Sequence, residues 1–240
     1  MKKFIYRILM IICLCVFGYS AFQLYLIYQE ANMIKTENKE LEQHVVKAKY
    51  LEPNWDELKK LNEDIVGWLY MPGVGFSYPI VQGNDNVYYL NHTAKNENNY
   101  RGAIFMDYRA NSDLSMDNTI IYGHSVEGGG MFTDLKKYAN KEFFDNNLEF
   151  YILTPQANYR ATIYTFEKTT ESSSYYSLQI DDTILADMKN NAVFYNDIEV
   201  NENRLVTLST CDLDYGFNSD QRLAISAVLE VELQPIEMSR

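Results

Sequence analysis

The feature that most constrains this chain is an uncharged apolar run over residues 8–27. A helix rises about 1.5 Å per residue, so this run spans ~30 Å, the thickness of the hydrocarbon layer of a bilayer. Lys2, Lys3 and Arg7 precede the run, and Glu30 follows it. The positive-inside rule therefore predicts a single-pass protein of the cell membrane, with its N-terminus in the cytoplasm and the remainder outside.

A cleaved signal peptide is the alternative interpretation of the same run. Gly18-Tyr-Ser20 has the small residues of a cleavage site. The apolar character continues through residues 21–27, which a short signal core does not need. Length therefore favours an uncleaved anchor, and we assign residues 1–29 to a cytoplasmic tip and a transmembrane anchor.

The charge of the chain limits the partners that it can bind. Its formal net charge is −12. Because phosphate binding needs a basic surface, nucleic acid is excluded as a partner. No acidic cluster has the spacing of calcium ligands, and we expect neither a metal nor another cofactor.

Helical patterns continue up to Gly67. Residues 30–50 are charged and amphipathic and predict a helical stalk. A second helix follows, with Asn54 as N-cap, Glu57 completing a capping box and Gly67 at its end. We therefore place the stalk and the N-terminal helices at 30–66 and a single domain at 67–240.

The domain at 67–240 is dominated by short apolar runs that Gly, Pro and Asn interrupt. They predict strands at 67–71, 77–81, 102–106, 118–122, 149–154, 159–168, 205–210 and 223–231. Helices are predicted at 85–92, 132–146 and 182–190. Many short strands with few helices indicate a mainly β fold, a barrel or a sandwich rather than a doubly wound sheet.

Cys211 is the only cysteine outside the apolar run, since Cys13 and Cys15 lie within it. A single exported thiol cannot form an intramolecular disulfide. It follows a predicted strand in Thr207-Leu-Ser-Thr-Cys211. There it is either a small buried hydrophobe or the nucleophile of covalent catalysis.

His124 is the histidine best placed to assist such a thiol. It follows the strand predicted at 118–122 and opens the Gly-rich loop 125–130, so it can line a cleft. A satisfied structural histidine is the alternative. His44 and His92 stand in polar stretches, and we expect both to be solvated.

Arg222 is the candidate cation. It begins the last strand, and the loop 212–221 separates it from Cys211. If the two strands pair antiparallel, Arg222 faces Cys211 at about 5 Å, where a guanidinium can lower the thiol pKa or hold an oxyanion. The alternative is a surface ion pair of little energetic value with an aspartate of the loop. The candidate aspartates are Asp212, Asp214 and Asp220.

Together these motifs resemble the signature of the sortases, and of class B in particular. Tyr122-Gly-His124 and Thr207-Leu-Ser-Thr-Cys211 follow two strands, and Arg222-Leu opens the last one. The similarity extends from about residue 54 to residue 231. It implies a sortase-like closed β-barrel of about eight strands with short helices, an N-terminal helical pair and a transmembrane helix. Further matching segments are Asn118-Thr-Ile-Ile-Tyr-Gly-His-Ser125, Ser77-Tyr-Pro-Ile-Val-Gln82, Tyr88-Tyr-Leu-Asn-His92 and Gly130-Met-Phe-Thr-Asp-Leu135.

The resemblance also implies a mechanism. Cys211 attacks the carbonyl after the Thr of a C-terminal sorting motif on a surface protein, which gives a thioacyl enzyme. An amine of peptidoglycan, or of its lipid-linked precursor, then resolves the thioester. His124 acts first as acid and later as base, and Arg222 stabilises the oxyanion. In class B the motif is typically Asn-Pro-x-Thr-Asn or Asn-Pro-x-Thr-Gly.

Substrate-binding residues follow from matching class B positions and from strand periodicity. Ser209 shares a strand face with Cys211, and Tyr122 shares one with His124. We expect both, and Leu90, to line the groove, with ordinary packing as the alternative. The loop 169–181 and the helix after it form one wall.

Two other function classes remain open. A papain-like peptidase places its Cys at a helix N-terminus ahead of the His in sequence, whereas here His124 precedes a strand-borne Cys211. An anchored surface-binding module would keep its function in Cys211→Ala.

Overall fold

The computed structural model describes residues 2–126, 128–200, 204–216 and 219–238. The side chains of Lys2 and Lys3, which support the predicted orientation, lie outside this part of the chain. So do Glu127 of the Gly-rich loop and residues 217–218 of the loop before Arg222.

The apolar run lies in one long helix, α1 (Lys2–Glu42). Among the described residues, α1 is the one helix that is long and apolar enough to cross a membrane. The predicted stalk is not a separate element, because residues 30–42 continue this helix without a break.

The last turns of α1 pack on the barrel. Leu41 is fully buried. Asn38 Nδ2 donates to the Ser77 carbonyl at 2.7 Å, and Asn99 Nδ2 donates to the Glu30 carbonyl at 3.1 Å. The helix also ends earlier than the predicted stalk. A two-stranded hairpin, β1 (Val46–Lys47) and β2 (Tyr50–Leu51), takes its place.

The second helix, α2 (Trp55–Leu61), begins where the sequence predicted. It ends well before Gly67, which was the predicted end. The Asn54 side chain accepts a hydrogen bond from the Glu57 amide at 3.3 Å. Asn62 is already extended, and its side chain accepts from the Asp64 amide at 3.0 Å. This local turn ends the helix, so Ile65 and Val66 belong to the first barrel strand.

Within the described part of the chain, nine strands form the main sheet, and all eight predicted strands are among them. They are β3 (Ile65–Met71), β4 (Phe76–Val81), β5 (Ile104–Met106), β6 (Asn118–Tyr122), β7 (Glu149–Leu153), β8 (Asn158–Thr170), β9 (Phe194–Tyr195), β10 (Leu205–Cys211) and β11 (Gln221–Val231).

The sheet closes into a barrel. Its strand order is β11-β10-β6-β5-β4-β3-β7-β8, and β11 also pairs with β8 to complete the ring. The short β9 adds to β8 outside it. The mainly β, closed barrel of eight strands implied by the resemblance is confirmed, and the sandwich alternative is wrong.

Three helical predictions have different outcomes. Residues 85–92 form only a single 3₁₀ turn, Tyr88–Leu90. Residues 132–146 divide into a 3₁₀ segment, Thr133–Ala139, and a short helix α3 (Lys141–Asn146), because Asn140 is extended and caps α3. The third, α4 (Asp182–Asn191), is confirmed, with Asp181 as N-cap.

Polar hydrogen bonds tie β6 and β10 together inside the barrel wall. The Thr207 hydroxyl donates to Asn118 Oδ1 at 3.0 Å and shares a hydrogen bond of 2.7 Å with the Ser226 hydroxyl. Asn118 Nδ2 donates to the carbonyls of Tyr175 and Ser177, which holds the loop 169–181 against this end of the barrel.

Candidate active site

The register of β10 brings Cys211 next to Arg222. The two residues are Cα partners in the antiparallel pair β10–β11, as the sequence predicted. On its other side β10 runs parallel to β6, with Ser209 opposite Tyr122. Because the strands are parallel, Cys211 at the end of β10 and His124 just past the end of β6 lie at the same end of the barrel.

His124 lies just beyond β6 and is held by three hydrogen bonds. The Gly123 amide donates to the Ser209 carbonyl at 3.1 Å, and the Phe132 amide donates to the His124 carbonyl at 2.9 Å. The His124 Nε2 atom lies 2.7 Å from the Leu90 carbonyl. Since a carbonyl only accepts, Nε2 carries the hydrogen, which leaves Nδ1 as the ring nitrogen that can exchange a proton.

The glycine of Tyr-Gly-His is required sterically. A Cβ atom at Gly123 would lie 2.5 Å from Ile104 Cδ1 and 2.8 Å from the Phe132 ring. Both neighbours are buried. The close approach at Gly123 therefore sets the path by which the chain leaves β6 toward His124.

Arg222 is anchored by the chain around it. Its Nη1 donates to the carbonyls of Ser219 at 2.8 Å and Gln221 at 3.0 Å. Its Nη2 pairs with Glu171 Oε2 at 3.0 Å. The expected ionic alternative named aspartates of the loop 212–221, but the partner that the structure shows is Glu171, directly after the neighbouring strand β8. Glu171 is 68% exposed, so this pair is a weak, solvent-screened one.

A cavity of about 450 Å³ joins all six residues that the sequence assigned to the site. Leu90, Tyr122, His124, Ser209, Cys211 and Arg222 all line it. Leu90 contributes both a half-exposed side chain and the carbonyl that holds His124. The remaining lining residues are Asn86, Phe105, Arg109, Gly123, Glu171, Tyr176 and Thr210.

Tyr176 is one of the residues that the sequence reasoning missed. It comes from the predicted wall loop, and its hydroxyl shares a hydrogen bond of 2.7 Å with Ser209 Oγ. Its ring lies parallel to that of Tyr122, with centroids 6.3 Å apart. Burial raises the pKa of Tyr176, so its hydroxyl stays protonated at neutral pH.

A buried carboxylate behind the cavity was missed as well. Tyr122 donates its hydroxyl to Asp107 Oδ2 at 3.1 Å. Burial first, and then the Asp107 charge, raise the pKa of Tyr122. The only sequence signal was an Asp and an Arg two residues apart directly after a strand, in Met106-Asp-Tyr-Arg109.

The other two histidines lie outside the cavity. His92 stacks on the Tyr88 ring, with centroids 4.0 Å apart, and neither it nor His44 is fully exposed. Across the described part of the chain, no group of three or more His, Cys, Asp or Glu side chains is placed to hold a metal ion.

The chain is similar in sequence to proteins of known family. A family model described as "Sortase domain" matches residues 69–230. The chain is 38% identical to sortase B of Listeria monocytogenes over 67% of this chain and 68% of that protein. It is 29% identical to sortase B of Staphylococcus aureus over 96% of this chain and 99% of that protein.

Solved structures give the same result. One described as a Staphylococcus aureus sortase B–substrate complex has a TM-score of 0.76 at 27% identity, covering 85% of this chain and 99% of that one. Another, described as sortase B from B. anthracis in complex with AAEK1, has a TM-score of 0.73 at 29% identity, covering 85% of this chain and all of that one.

Proposed function

The chain belongs to the sortase family, in its class B, and from this premise we propose that it cleaves a C-terminal sorting motif after threonine and joins the protein to a cell-wall amine. One observation carries the proposal. The thiol of Cys211, the imidazole of His124 and the guanidinium of Arg222 line one cavity, and Cys211 and Arg222 are cross-strand partners.

In the first half of the proposed reaction, His124 takes the proton of the Cys211 thiol, and the resulting thiolate attacks the carbonyl carbon after threonine. A C–S bond forms, and the tetrahedral oxyanion that results accepts a hydrogen bond from Arg222. The C–N bond then breaks, and His124 gives a proton to the leaving amine. The product is a thioacyl enzyme.

In the second half, an amine of the cell wall attacks the thioester. His124 takes the proton that the amine loses, the new amide forms, and the Cys211 thiolate leaves. A solved sortase B is described as a complex with triglycine, which supports a peptide amine as acceptor here.

We expect the Arg222–Glu171 pair to loosen when Arg222 donates to the oxyanion. Nη1 stays on two backbone carbonyls, so Nη2 is the group that changes partner. Because Glu171 is 68% exposed, this exchange costs at most about 1 kcal/mol.

The proposed location is the outer face of a membrane. Residues 1–29 form the tip and anchor, residues 30–66 the helical connection, and residues 67–240 the catalytic domain. The apolar part of α1 supports this arrangement, since it is long enough to span a bilayer. Surface proteins that bear the motif, and peptidoglycan or its lipid-linked precursor, are the proposed partners.

The test uses the full chain in detergent micelles with quenched peptides of the Asn-Pro-x-Thr-Asn and Asn-Pro-x-Thr-Gly kinds and triglycine as acceptor. The wild type is expected to join peptide to triglycine through a thioacyl adduct on Cys211 that mass spectrometry detects. Cys211→Ala should lose at least about a thousandfold in rate, because Cys211 supplies the only thiol among the described residues that line the cavity.

Two outcomes would contradict the proposal. Equal rates for the wild type and Cys211→Ala would favour a non-catalytic module. Hydrolysis without transfer to any amine would favour a peptidase.

A further inference from the structure

Asp107 is a fully buried carboxylate directly after β5, and three side chains donate to it. Arg109 donates from Nε at 2.8 Å and from a terminal nitrogen at 2.7 Å. Asn86 Nδ2 donates at 3.0 Å and the Tyr122 hydroxyl at 3.1 Å. The fork of Arg109 on both carboxylate oxygens is the strongest of these contacts.

The three donors come from separate segments, and all of them line the catalytic cavity. Asn86 precedes the 3₁₀ turn that carries Leu90, Arg109 follows β5, and Tyr122 ends β6. One carboxylate therefore fixes three parts of a single wall relative to one another.

Asp107 is itself held in place. Gln82 donates its side-chain amide to the carbonyls of Asp107 at 2.9 Å and Ala110 at 2.8 Å. Burial opposes the charge of Asp107, but the hydrogen bonds from Arg109 and Asn86 outweigh it and lower the pKa of the carboxyl. Asp107 is consequently ionised at neutral pH and keeps all its donors.

The position of Arg109 indicates why a buried carboxylate is useful here. Asp107 is 0% exposed, whereas the Arg109 side chain is 46% exposed beside the cavity. The buried face of the guanidinium is committed to Asp107, while the terminal nitrogen Nη1 makes no hydrogen bond within the described part of the chain. The cavity thus has a second cation besides Arg222, and this one is compensated by a carboxylate that solvent does not reach.

We propose that Asp107 is a positioning residue for peptide binding: it holds Arg109, Asn86 and Tyr122 as one polar wall, from which Arg109 donates to a carbonyl or amide oxygen of the bound peptide. No hydrogen bond among the described residues joins Asp107 to Cys211, His124 or Arg222. Its loss should therefore weaken binding of the peptide more than the chemical steps. The proposal rests on the proposed transpeptidase function.

The test compares Asp107→Asn with the wild type, using the full chain and the transfer reaction described above. KM for the motif peptide should rise about tenfold, with kcat changed less than about threefold. The rate at which iodoacetamide alkylates Cys211 should not change. Arg109→Gln should raise KM in the same way, and the double variant should be no worse than the poorer single one, because both remove one unit.

Asp64→Asn is the matched control, because Asp64 also accepts a tyrosine hydroxyl, that of Tyr89, at 2.7 Å. Tyr89 keeps its hydrogen bond from Asn62, and Asp64 does not line the cavity. This variant should leave KM unchanged.

Each outcome decides the proposal. An Asp107→Asn variant that melts earlier but keeps the wild-type KM shows a merely structural role and overturns it. If Asp107→Asn does not fold, Arg109→Gln decides, and an unchanged KM in that variant also overturns it. If the wild type transfers no peptide, the proposed transpeptidase function and the proposed role of Asp107 are both wrong. If the wild type transfers peptide and Asp107→Asn has the same KM, only the role of Asp107 is wrong.

Discussion

Cys211 and His124 emerge from neighbouring strands, but the fold holds them in different ways. Cys211 ends β10, which is paired with β11 along its whole length and with β6 over residues 205–209. His124 lies past the end of β6, before three glycines with positive φ, and depends on contacts to Ser209, Phe132 and Leu90. The Cys211 thiol is positioned by sheet register, whereas the His124 imidazole is positioned by turns that pack against it.

Gly123→Ala is expected to have the largest effect, because it should disturb His124 and leave Cys211 in place. The added Cβ overlaps Ile104 and Phe132, which should cost about 1–3 kcal/mol of stability and displace His124. We expect kcat/KM to fall about a hundredfold, while the alkylation rate of Cys211 stays near that of the wild type.

Gly67→Ala is the control for Gly123→Ala. Gly67 lies in β3 and does not line the cavity, and its added Cβ would lie 3.1 Å from the Leu153 carbonyl. It should lower the melting temperature and leave kcat/KM unchanged. If Gly123→Ala slowed alkylation of Cys211 as much as transfer, the two residues would be held as one unit and the comparison would fail.

Thr207→Val tests the sheet side of the comparison. It keeps the shape of the side chain and leaves Asn118 Oδ1 and Ser226 Oγ without their buried partner. Unfolding in urea should show a loss of about 1–3 kcal/mol, with kcat/KM at 25 °C within about twofold of the wild type because the register of β10 persists.

Thr119→Val is matched to Thr207→Val, since the buried Thr119 hydroxyl has no hydrogen-bond partner among the described residues. Its loss should be neutral or stabilising. A Thr207→Val variant that lost activity before it lost stability would show that register alone does not hold Cys211.

Glu171→Gln has the smallest expected effect, and it tests how Arg222, the third residue of the site, is held. It frees Arg222 Nη2 from an exposed ion pair, so kcat/KM should rise about two- to threefold and lose part of its dependence on salt. Initial rates at low and high ionic strength measure this change. A fall of tenfold or more would instead mean that Glu171 holds Arg222 in place.

Local patterns in the sequence predicted one half of the site better than the other. Arg222 and Cys211 flank a single loop between sequential strands, so antiparallel pairing alone placed them together. The approach of His124 to Cys211 depends on the parallel pair β6–β10, which joins distant parts of the chain. Nothing in the spacing specified that pair, and only the resemblance to sortases indicated it.

The remaining errors have local physical causes. The period of Ile65 and Val66 suited a helix, but the turn made by Asn62 ended α2 before them. Glu171 and Asp107 look like ordinary surface charges in the sequence. Arg222 reaches Glu171 only through the pair β8–β11 that closes the barrel, and Tyr122 reaches Asp107 across the pair β5–β6.

The continuity of α1 has a mechanical consequence. The helix runs from Lys2 to Glu42, ~60 Å at 1.5 Å per residue, and its last turns are fastened to the barrel through Asn38 and Asn99. A continuous helix, and not a flexible linker, therefore connects the barrel to the apolar run. In the proposed membrane location, the distance between the cleft and the apolar run is therefore fixed, and the proposed substrate protein has to supply the length of chain that brings its motif to the cleft.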